Sequence, residues 1–276
     1  MSDQHIKCTN ERRVQYMFSH ELREELKKLP LIFLPLAPLE WHGPHLVMGV
    51  DPINAEKTAV AVAERTGGVV LPTLYMGTER ERSPEMLESL GFDKREYVVG
   101  MDFPDAKGLF KSFYFTEELF AMVVREHIEQ CINHGYKKIF IVNGHGAVNH
   151  NEVLKRLCKE FSNKYDGIKV AYSISFPDKV LSGGLCSHAG LDETSLMMFY
   201  DESFADIGKL PNRNLKLKYT DYSIVDSGGF EGRPGKGFTV SDNMDPRNAN
   251  AETGEKLFKE IVADVHKKVK KTFNLK

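Results

Sequence analysis

Ile139-Phe-Ile-Val142 and the loop Asn143-Gly-His-Gly146 that follows it form the stretch that decides the fold. A short apolar run of this kind predicts a strand buried inside a parallel sheet. Hydrophobic residues at helical spacing then predict a helix over about residues 149–161. Strand, loop and helix in this order are the building unit of an α/β sheet.

The same alternation continues on both sides of this unit. Apolar runs predict further strands over residues 31–36, 69–71 and 168–173. Helical patterns and end signals predict helices at 20–28 behind a Ser19 cap, at about 51–65, from Thr116 to a stop at Gly135, at 192–200 and at 253–272. This order predicts an α/β protein with three layers, α/β/α, around a mostly parallel central sheet.

Two stretches interrupt the alternation. Residues 76–115 form a long insert of charged and aromatic residues, which we call the insert. A loop of this length usually carries function, so it predicts either a lid over a site or a contact between subunits. Residues 211–247 are rich in Gly, Asp and Asn and predict a hairpin or an irregular loop. Because no repeat or low-complexity linker divides the chain, we expect a single domain over residues 1–276.

The totals over the whole chain exclude several classes of protein. The 37 basic and 39 acidic residues leave a net charge of −2, which argues against a nucleic-acid-binding protein. A hydrophobic fraction of 41% is too high for a disordered chain. No apolar run approaches the roughly 20 residues of a membrane helix, and the first residues show no signal-peptide pattern. We therefore expect a cytoplasmic protein that acts on a small molecule, without a membrane or nucleic-acid partner.

The four cysteines indicate no zinc ribbon, because none of them forms a C-x-x-C pair. Cys8, Cys131, Cys158 and Cys186 are expected to be reduced thiols in the cytosol. Cys131 and Cys158 lie in helical patterns and are predicted core residues. Cys186 comes two residues before His188, and a role in lining a site stays open for it.

Histidines and acids gather directly after three of the predicted strands. They are Glu40, His42, His45 and Asp51 after the first strand, His145 after the third, and His188, Asp192 and Glu193 after the fourth. Ligands of open α/β sheets bind beyond the carboxyl ends of the strands, so one sheet edge can gather all three groups. Imidazole with carboxylate is the ligand mix of zinc, manganese or iron.

Each residue also has a simpler interpretation. Asp51 precedes Pro52 and is predicted as a helix N-cap, and Glu193 can stabilise the start of its helix. A lone loop histidine is more often hydrogen-bonded than a ligand. However, Glu40 and His42 alternate in an extended segment and point the same way, and a carboxylate at the N-terminus of a helix can bridge two cations. The convergence of the three groups therefore favours a metal site.

Four segments resemble the creatininase family. Leu34-Pro-Leu-Ala-Pro-Leu-Glu-Trp-His-Gly-Pro-His-Leu46 with Asp51 resembles its E-x-H-G-P-H-L…D signature, and Asn143-Gly-His-Gly146 resembles its N-G-H-G segment. His188-Ala-Gly-Leu-Asp-Glu-Thr-Ser195 resembles H-A-G-x-x-E-T-S, and Asp245-Pro-Arg247 with Ala251, Glu252 and Gly254 resembles a late D-P-x…A-x-x-G stretch. The segments occur in the family's order over about residues 31–260.

The resemblance implies a creatininase-like fold with a binuclear site for Zn²⁺ or Mn²⁺, in a homo-oligomer that is often a hexamer. The implied metal ligands are Glu40, His42, Asp51 as the bridge, His145 and Glu193. His188 and Glu193 are the implied catalytic residues, with His188 beside the substrate as a proton donor or orienting group. The implied reaction is hydrolysis of a carbonyl compound by metal-bound water.

The chain also departs from the family's pattern. Trp41 stands where a polar residue is more usual, and Val148 stands where an Asn is typical, so that Asn149 has to substitute. True creatininases carry a metal-binding acid at the position of Ala147, which leaves Glu193 to supply the ligand. They also stack creatinine between tryptophans, whereas Trp41 is the only tryptophan here. Creatinine is therefore not the expected substrate.

The insert gives a weaker indication of the substrate. Arg80 and Arg82 make it partly cationic, which favours a hydroxylated or anionic small molecule, and they are predicted to bind the substrate together with Trp41 and His45. Three activities stay open. They are hydrolysis of a cyclic amide, C–C hydrolysis of a cyclic diketone such as a diketo-inositol in carbohydrate or inositol metabolism, and non-catalytic binding or assembly on the same fold.

Overall fold

A computed structural model describes residues 11–104, 106–177, 187–218, 225–226 and 240–275. Its central sheet has five strands, which are β1 (Leu31–Ala37), β2 (Val69–Val70), β3 (Leu74–Tyr75), β4 (Lys138–Asn143) and β5 (Lys169–Ile174). β1 pairs with β2, β3 and β4, and β5 pairs with β4. All of these pairings are parallel, which confirms the predicted mostly parallel sheet.

Seven helices and a small second sheet complete the described part of the chain. The helices are α1 (Ser19–Lys28), α2 (Val50–Thr66), α3 (Pro84–Ser89), α4 (Glu117–Asn133), α5 (Val148–Lys164), α6 (Leu191–Tyr200) and α7 (Ala251–Phe273). Short 3-10 turns occur at Val14–Tyr16, Glu202–Phe204, Ile207–Lys209 and Pro246–Asn248. β6 (Ser187–His188) pairs antiparallel with β7 (Val225–Asp226). Within these ranges, no helix is both long and apolar enough to cross a membrane.

The two faces of the central sheet each carry an apolar core. Leu31 and Phe33 of β1 point to one face, where they pack with residues of α2, α6 and α7. Ile32 and Leu34 point to the other face, where they pack with residues of α4 and α5. β1 is apolar at every position because helices cover it on both sides. The three-layer α/β/α fold is thereby confirmed.

Two predicted helix caps are wrong by one or two residues. α1 begins at Ser19 itself, and Phe18 occupies the N-cap position. α2 begins at Val50 behind Gly49, so Asp51 lies in the first turn and makes no capping bond. By contrast Thr116 caps α4 as predicted, since its Oγ1 accepts a hydrogen bond from Leu119 N at 3.3 Å. The carboxylate of Asp51 is instead available to other partners.

The insert is a folded substructure at the carboxyl end of β1. It carries α3 and an apolar cluster of Met86, Leu87, Leu90, Val98, Met101 and Phe103. Its two ends are joined, because Phe115 N donates to Gly77 O at 2.9 Å. A Cβ on Gly77 would lie 2.4 Å from Cδ of Pro38, so glycine lets the insert start close against the residue after β1.

The described cysteines behave as predicted, whereas other predictions concern undescribed residues. Cys131 and Cys158 are free and buried, and burial raises the pKa of both thiols to about 12. Cys8, Cys186 and most of the predicted irregular stretch 211–247 lie outside the described residues. The described part of that stretch includes Val225–Asp226, which pairs with β6.

Candidate metal centre

The segment after β1 turns sharply and brings two side chains to the edge of the sheet. Glu40 N donates to Met48 O at 3.1 Å, which closes the turn on itself. The Nδ1 atom of His42 lies 3.0 Å from the carbonyl oxygen of Glu40. That contact leaves Nε2 of His42 as the ring nitrogen that faces the centre.

The Asn-Gly-His-Gly loop after β4 brings His145 to the same place. Asn143 holds the loop, because its Oδ1 accepts from His145 N at 2.9 Å and its Nδ2 donates to His145 O at 2.7 Å. A Cβ on Gly144 would lie 2.2 Å from the carbonyl oxygen of Asp51. Only glycine therefore allows the loop to lie against the first turn of α2, which carries Asp51.

Asp51 lies between two imidazoles. Its Oδ1 is 3.2 Å from Nε2 of His42, and its Oδ2 is 3.1 Å from Nδ1 of His145. Glu193 Oε2 lies 3.6 Å from His42 Nε2, and Glu40 Oε2 lies 3.2 Å from His145 Nδ1. The structure thus brings the five residues predicted as ligands together, and Asp51 has the place that a bridging carboxylate needs.

The turn before α6 fixes the carboxylate of Glu193. Its Oε2 accepts a hydrogen bond from Ala189 N at 2.6 Å. Ala189 has a φ of 53°, a left-handed conformation that costs a non-glycine residue about 1–3 kcal/mol. Glu193 therefore holds the turn that precedes its helix, and it also contacts His42.

The buried carboxylates make the centre attractive to cations. Burial opposes a charge on His42, yet Glu193 and Asp51 outweigh it and raise its pKa to about 10. Burial also opposes a charge on His145, but Glu40 and Asp51 raise its pKa well above the usual range. Burial raises the pKa of Glu193 to about 8 although His42 works against this shift. Acids that draw protons onto two buried imidazoles favour other bound cations for the same Coulombic reason.

The donor atoms fit divalent metal ions. Nε2 of His42 and Nε2 of His145 are buried, and neither forms a hydrogen bond of good geometry with a described residue, although Oδ1 of Asp51 lies 3.2 Å from Nε2 of His42. Three groups have ligand atoms within 4.8 Å of one another, namely Glu40–His42–His188, Glu40–Glu79–His145 and His42–Asp51–Glu193. Imidazole nitrogens and carboxylate oxygens at such spacing are a zinc or manganese donor set.

His188 lies beside this centre as a neutral imidazole. Its ring centroid is 4.1 Å from that of His42, and burial together with His42 lowers its pKa to about 3. Its Nε2 lies 2.8 Å from the carbonyl oxygen of Trp41. Because a carbonyl oxygen only accepts, Nε2 must carry the proton and Nδ1 is an acceptor in the neutral ring.

The four residues predicted to bind substrate are held by protein groups. Trp41 is 3% exposed, and Nε2 of His45 lies 3.1 Å from Thr194 Oγ1. Arg80 is half-exposed and ion-paired with Glu117 and Glu152 of α4 and α5. Arg82 is buried, and its guanidinium contacts Glu79 and donates to Gly100 O. Their role in substrate binding stays a prediction.

Two residues follow Ala147, and Asn149 is the buried one. Val148 is 60% exposed, whereas Asn149 is 1% exposed. Nδ2 of Asn149 donates to Glu117 Oε1 at 3.1 Å and to Thr78 Oγ1 at 3.4 Å. Asn149 therefore joins the start of α5 to α4 and to the insert.

Sequence reasoning did not single out Glu79 or Tyr114. The hydroxyl of Tyr114 donates to Oε1 of Glu40 at 2.5 Å, and Oε2 of Glu79 lies 4.0 Å from Nε2 of His145. The available signal was the length of the insert, which contains both residues. The insert therefore contributes side chains to the edge of the centre.

The fold and the centre together define a class of protein, namely a three-layer α/β/α protein with a buried carboxylate–imidazole cluster able to hold divalent metal at the sheet edge. The sequence profile of the Creatininase family, described as creatinine amidohydrolase, matches residues 15–92 and 96–269. The chain therefore belongs to the creatininase family, as its four segments suggested.

Individual relatives agree with this membership. Creatinine amidohydrolase of Pseudomonas putida is 26% identical over 115 residues, and the match spans 42% of this chain but only 37% of that enzyme. A crystal structure of creatinine amidohydrolase (creatininase) superposes with a TM-score of 0.66 at 19% identity, covering 96% of this chain and 99% of that one.

Two further solved structures carry metals in their names. A creatininase in an Mn form has a TM-score of 0.65 at 18% identity and covers 95% of this chain and 99% of its own. A mutant creatininase of the Zn-Zn type has a TM-score of 0.64 at 18% identity. The match covers 95% of this chain and 98% of that one. At such identities, the likeness shows a shared fold.

Proposed function

We propose that this chain is a metal-dependent hydrolase whose ions are held by Glu40, His42, Asp51, His145 and Glu193. The observation that carries the proposal is the place of Asp51, which turns one oxygen to each of two buried histidines. The Mn and Zn-Zn creatininases of the same fold support these two metals as the candidates. When bound, such a pair of ions would lower the pKa of water and polarise a substrate carbonyl.

The chain's own residues would hold and orient the reactants. Glu40 and His145 form one half of the centre, His42 and Glu193 form the other, and Asp51 belongs to both. His188 has a neutral ring close to His42, so it is suited to orient a substrate beside the centre. Glu193 is the candidate for proton transfer, because it lies beside His42 in the same half of the centre and burial raises its pKa to about 8.

The substrate that we propose is a small, polar, cyclic carbonyl compound that is opened at a C–N bond. Membership of an amidohydrolase family supports the C–N bond. Creatinine itself is disfavoured, because the single tryptophan is buried and cannot provide the pair of indoles expected for that substrate. C–C hydrolysis of a cyclic diketone and non-catalytic binding stay alternatives that the substrate screen below separates.

A homo-oligomer in the cytoplasm also stays a proposal. The support for the oligomer is the exposed aromatic surface of the insert, where Phe110 is 63% and Phe113 is 49% exposed. Aromatic residues are enriched where protein subunits meet. Sedimentation analysis of the purified protein would measure the oligomeric state directly.

Metal analysis is the first test of the proposed function. The purified protein, loaded with Zn²⁺ or Mn²⁺ and freed of excess ions, should contain about two ions per chain. Asp51→Ala should lose both of them, whereas Asp166→Ala, which changes an exposed aspartate in the turn after the C-terminal end of α5, should keep them. Unchanged metal content in Asp51→Ala would show that the site is assigned wrongly.

A substrate screen is the second test. The metal-loaded protein is incubated with lactams, cyclic imides, creatinine and cyclic diketones, and ring opening is followed by mass spectrometry. We expect turnover of a polar cyclic amide that depends on Asp51. Turnover of diketones alone would favour C–C hydrolysis, and bound metal without any turnover would favour the binding protein.

A further inference from the structure

We propose that Arg247 is a positioning residue for Glu193, because it holds in place the strained turn that orients this carboxylate. Arg247 belongs to the late segment Asp245-Pro-Arg247, which supplies no ligand to the proposed metal centre. The inference rests on the proposed function, in which Glu193 holds a metal ion together with His42 and Asp51.

The turn before Glu193 needs support from its surroundings. Ala189 N donates to Glu193 Oε2 at 2.6 Å, and Ala189 has a left-handed backbone with a φ of 53°. A non-glycine residue keeps such a conformation only where the surrounding structure imposes it. The carboxylate of Glu193, whose Oε2 lies 3.6 Å from His42 Nε2, therefore depends on groups that hold the turn.

One support of the turn is the backbone immediately before Asp245. Leu191 N donates to Met244 O at 2.9 Å. A Cβ on Gly190 would lie 3.0 Å from the same carbonyl oxygen, so the turn packs closely against this backbone. A displacement of Met244 would therefore displace the start of α6, which carries Glu193.

The other support is an apolar cluster around Ala189. Leu210 and Leu217 are buried together with Ala189, and Leu46 of the first metal segment packs against them. Leu210 and Leu217 lie at the two ends of residues 211–216. The position of this stretch therefore determines whether the two leucines remain against the turn.

Arg247 fixes both supports at once. Its Nη2 lies 2.6 Å from Oδ2 of Asp245 and its Nε lies 3.0 Å from Oδ1. Its Nη1 donates to the carbonyl oxygens of Pro211, Asn212 and Leu215 at 2.9–3.2 Å. We call Arg247, Asp245 and these three carbonyl oxygens the clamp. It joins the residue after Met244 to the stretch between the two leucines.

The clamp requires the shape of a guanidinium group as well as its charge. Burial opposes the charge on Asp245, but the hydrogen bonds from Arg247 hold the pKa of this carboxyl below its usual value. Both residues are 8% exposed. A lysine ammonium is a compact point charge without the planar fork, so it cannot bind the carboxylate and the three carbonyl oxygens together.

The test compares Arg247→Lys with the wild type and with Arg125→Lys. Arg125 also forms a forked pair, because its two terminal nitrogens bind the two carboxylate oxygens of Glu160, but this pair joins the outer helices α4 and α5. Metal content, the affinity for each ion in competition with a chelator, and the absorption spectrum of the Co²⁺-loaded protein are measured. Ala189→Gly is added to both the wild type and Arg247→Lys, because glycine adopts a left-handed backbone without steric strain.

We expect the wild type and Arg125→Lys to hold about two ions. Arg247→Lys should keep one ion at wild-type affinity and bind the other, held by His42 and Glu193, at least about tenfold more weakly. Its Co²⁺ spectrum should change. Ala189→Gly should restore the affinity and the spectrum in the Arg247→Lys background, since the turn then no longer has to be imposed. If Arg247→Lys does not fold, Asp245→Asn should show the same selective loss.

Three other results would be decisive in the opposite sense. Wild-type affinities and an unchanged Co²⁺ spectrum in the folded clamp variant would overturn the role of Arg247. Equal weakening of both ions, or a loss that Ala189→Gly does not restore, would overturn it too, because Arg247 would then not act through the turn. Both of these results leave the proposed function intact, whereas a wild-type protein that binds no divalent metal would overturn the proposed function itself.

Discussion

The hydroxyl of Tyr114 donates a hydrogen bond to Oε1 of Glu40, a residue 74 positions earlier in the chain. Burial and the neighbouring Glu40 raise the pKa of Tyr114 well above its usual value, so the phenol keeps its proton and acts as a donor. The other oxygen of Glu40, Oε2, faces His145. The last residues of the insert thereby orient a carboxylate of the first metal segment.

Tyr114→Phe should therefore weaken metal binding without removing a ligand. Losing a hydrogen bond to a ligating carboxylate typically lowers metal affinity about 10–100-fold. It should also lower the free energy of unfolding by about 1–3 kcal/mol, because the bond is buried. Chelator competition and urea unfolding measure the two effects. Tyr97→Phe is the control, since Tyr97 is 75% exposed, and equal results for both variants would refute the role of Tyr114.

The central sheet was predictable from the sequence because its strands are buried on both faces. The runs at 31–36 and 139–142 are apolar at every position, and the structure places them in β1 and β4 as direct neighbours. The short edge strands were less predictable, because β2 has two residues and its length depends on pairing with β1. A local pattern carries no information about such pairing.

The centre was predictable only where its residues follow a strand. Glu40 and His145 were found because parallel strands end at one edge. Glu79 and Tyr114 were missed, since the insert has little periodicity and reaches the centre through distant contacts such as Phe113 N to Leu39 O. Hydrogen bonds between segments far apart in sequence leave no periodic signal in either segment.

The two glycines of the loop after β4 should respond differently to substitution. Gly144→Ala places a Cβ 2.2 Å from the carbonyl oxygen of Asp51. Backbone cannot yield easily to such an overlap, so unfolding free energy should fall by about 1–3 kcal/mol or more. Gly146→Ala is the matched control, because nothing lies within 4 Å of its Cβ position.

Metal affinity is a second quantity that should differ between Gly144→Ala and Gly146→Ala. Gly144→Ala should also impair metal binding, because it pushes the His145 loop away from Asp51. Urea unfolding and metal analysis of both variants provide the measurements. A Gly144→Ala protein as stable and as well loaded with metal as Gly146→Ala would contradict the close approach of the loop and α2.

The metal-free protein should lose stability in alkali. The pKa of His42 is raised from 6.5 to about 10. Its contribution to the free energy of unfolding is therefore fully present below pH 6.5 and is lost as the pH rises through about 10. The raised pKa of Glu193, from 4.5 to about 8, acts in the same direction. Urea unfolding between pH 7 and 10 should therefore show a decline. A flat profile would show that these groups are not coupled in the folded chain.

In acid, other histidines should destabilise the metal-free protein. Burial, with a contribution from His42, lowers the pKa values of His45 and His188 to about 3, so both rings are neutral when folded. Their contribution is complete above pH 6.5 and is lost as the pH falls toward 3. His20→Gln serves as a control for an exposed histidine. It should leave the loss of unfolding free energy in acid unchanged, whereas His45→Gln should reduce that loss.

Metal binding should release protons at neutral pH. His42 and His145 have raised pKa values in the metal-free centre, and an imidazole must lose its proton from the nitrogen that binds metal. Calorimetry of Zn²⁺ or Mn²⁺ binding at pH 7 in buffers of different ionisation enthalpy counts the protons, and we expect up to about two per chain. A binding enthalpy independent of the buffer would place the ions elsewhere.

Arg80 provides a test of the predicted cationic contact with the substrate. Its guanidinium is 54% exposed and pairs with Glu117 at 3.0 Å and Glu152 at 2.8 Å, so its charge is directed to the outer helices. Exposed ion pairs contribute about 0–1 kcal/mol, so Arg80→Ala should change the unfolding free energy little, whereas loss of the predicted contact should raise KM. Lys155→Ala on the surface of α5 is the control. A rise in KM for Arg80→Ala but not for Lys155→Ala, with kcat unchanged, would confirm the contact, and an unchanged KM would refute it.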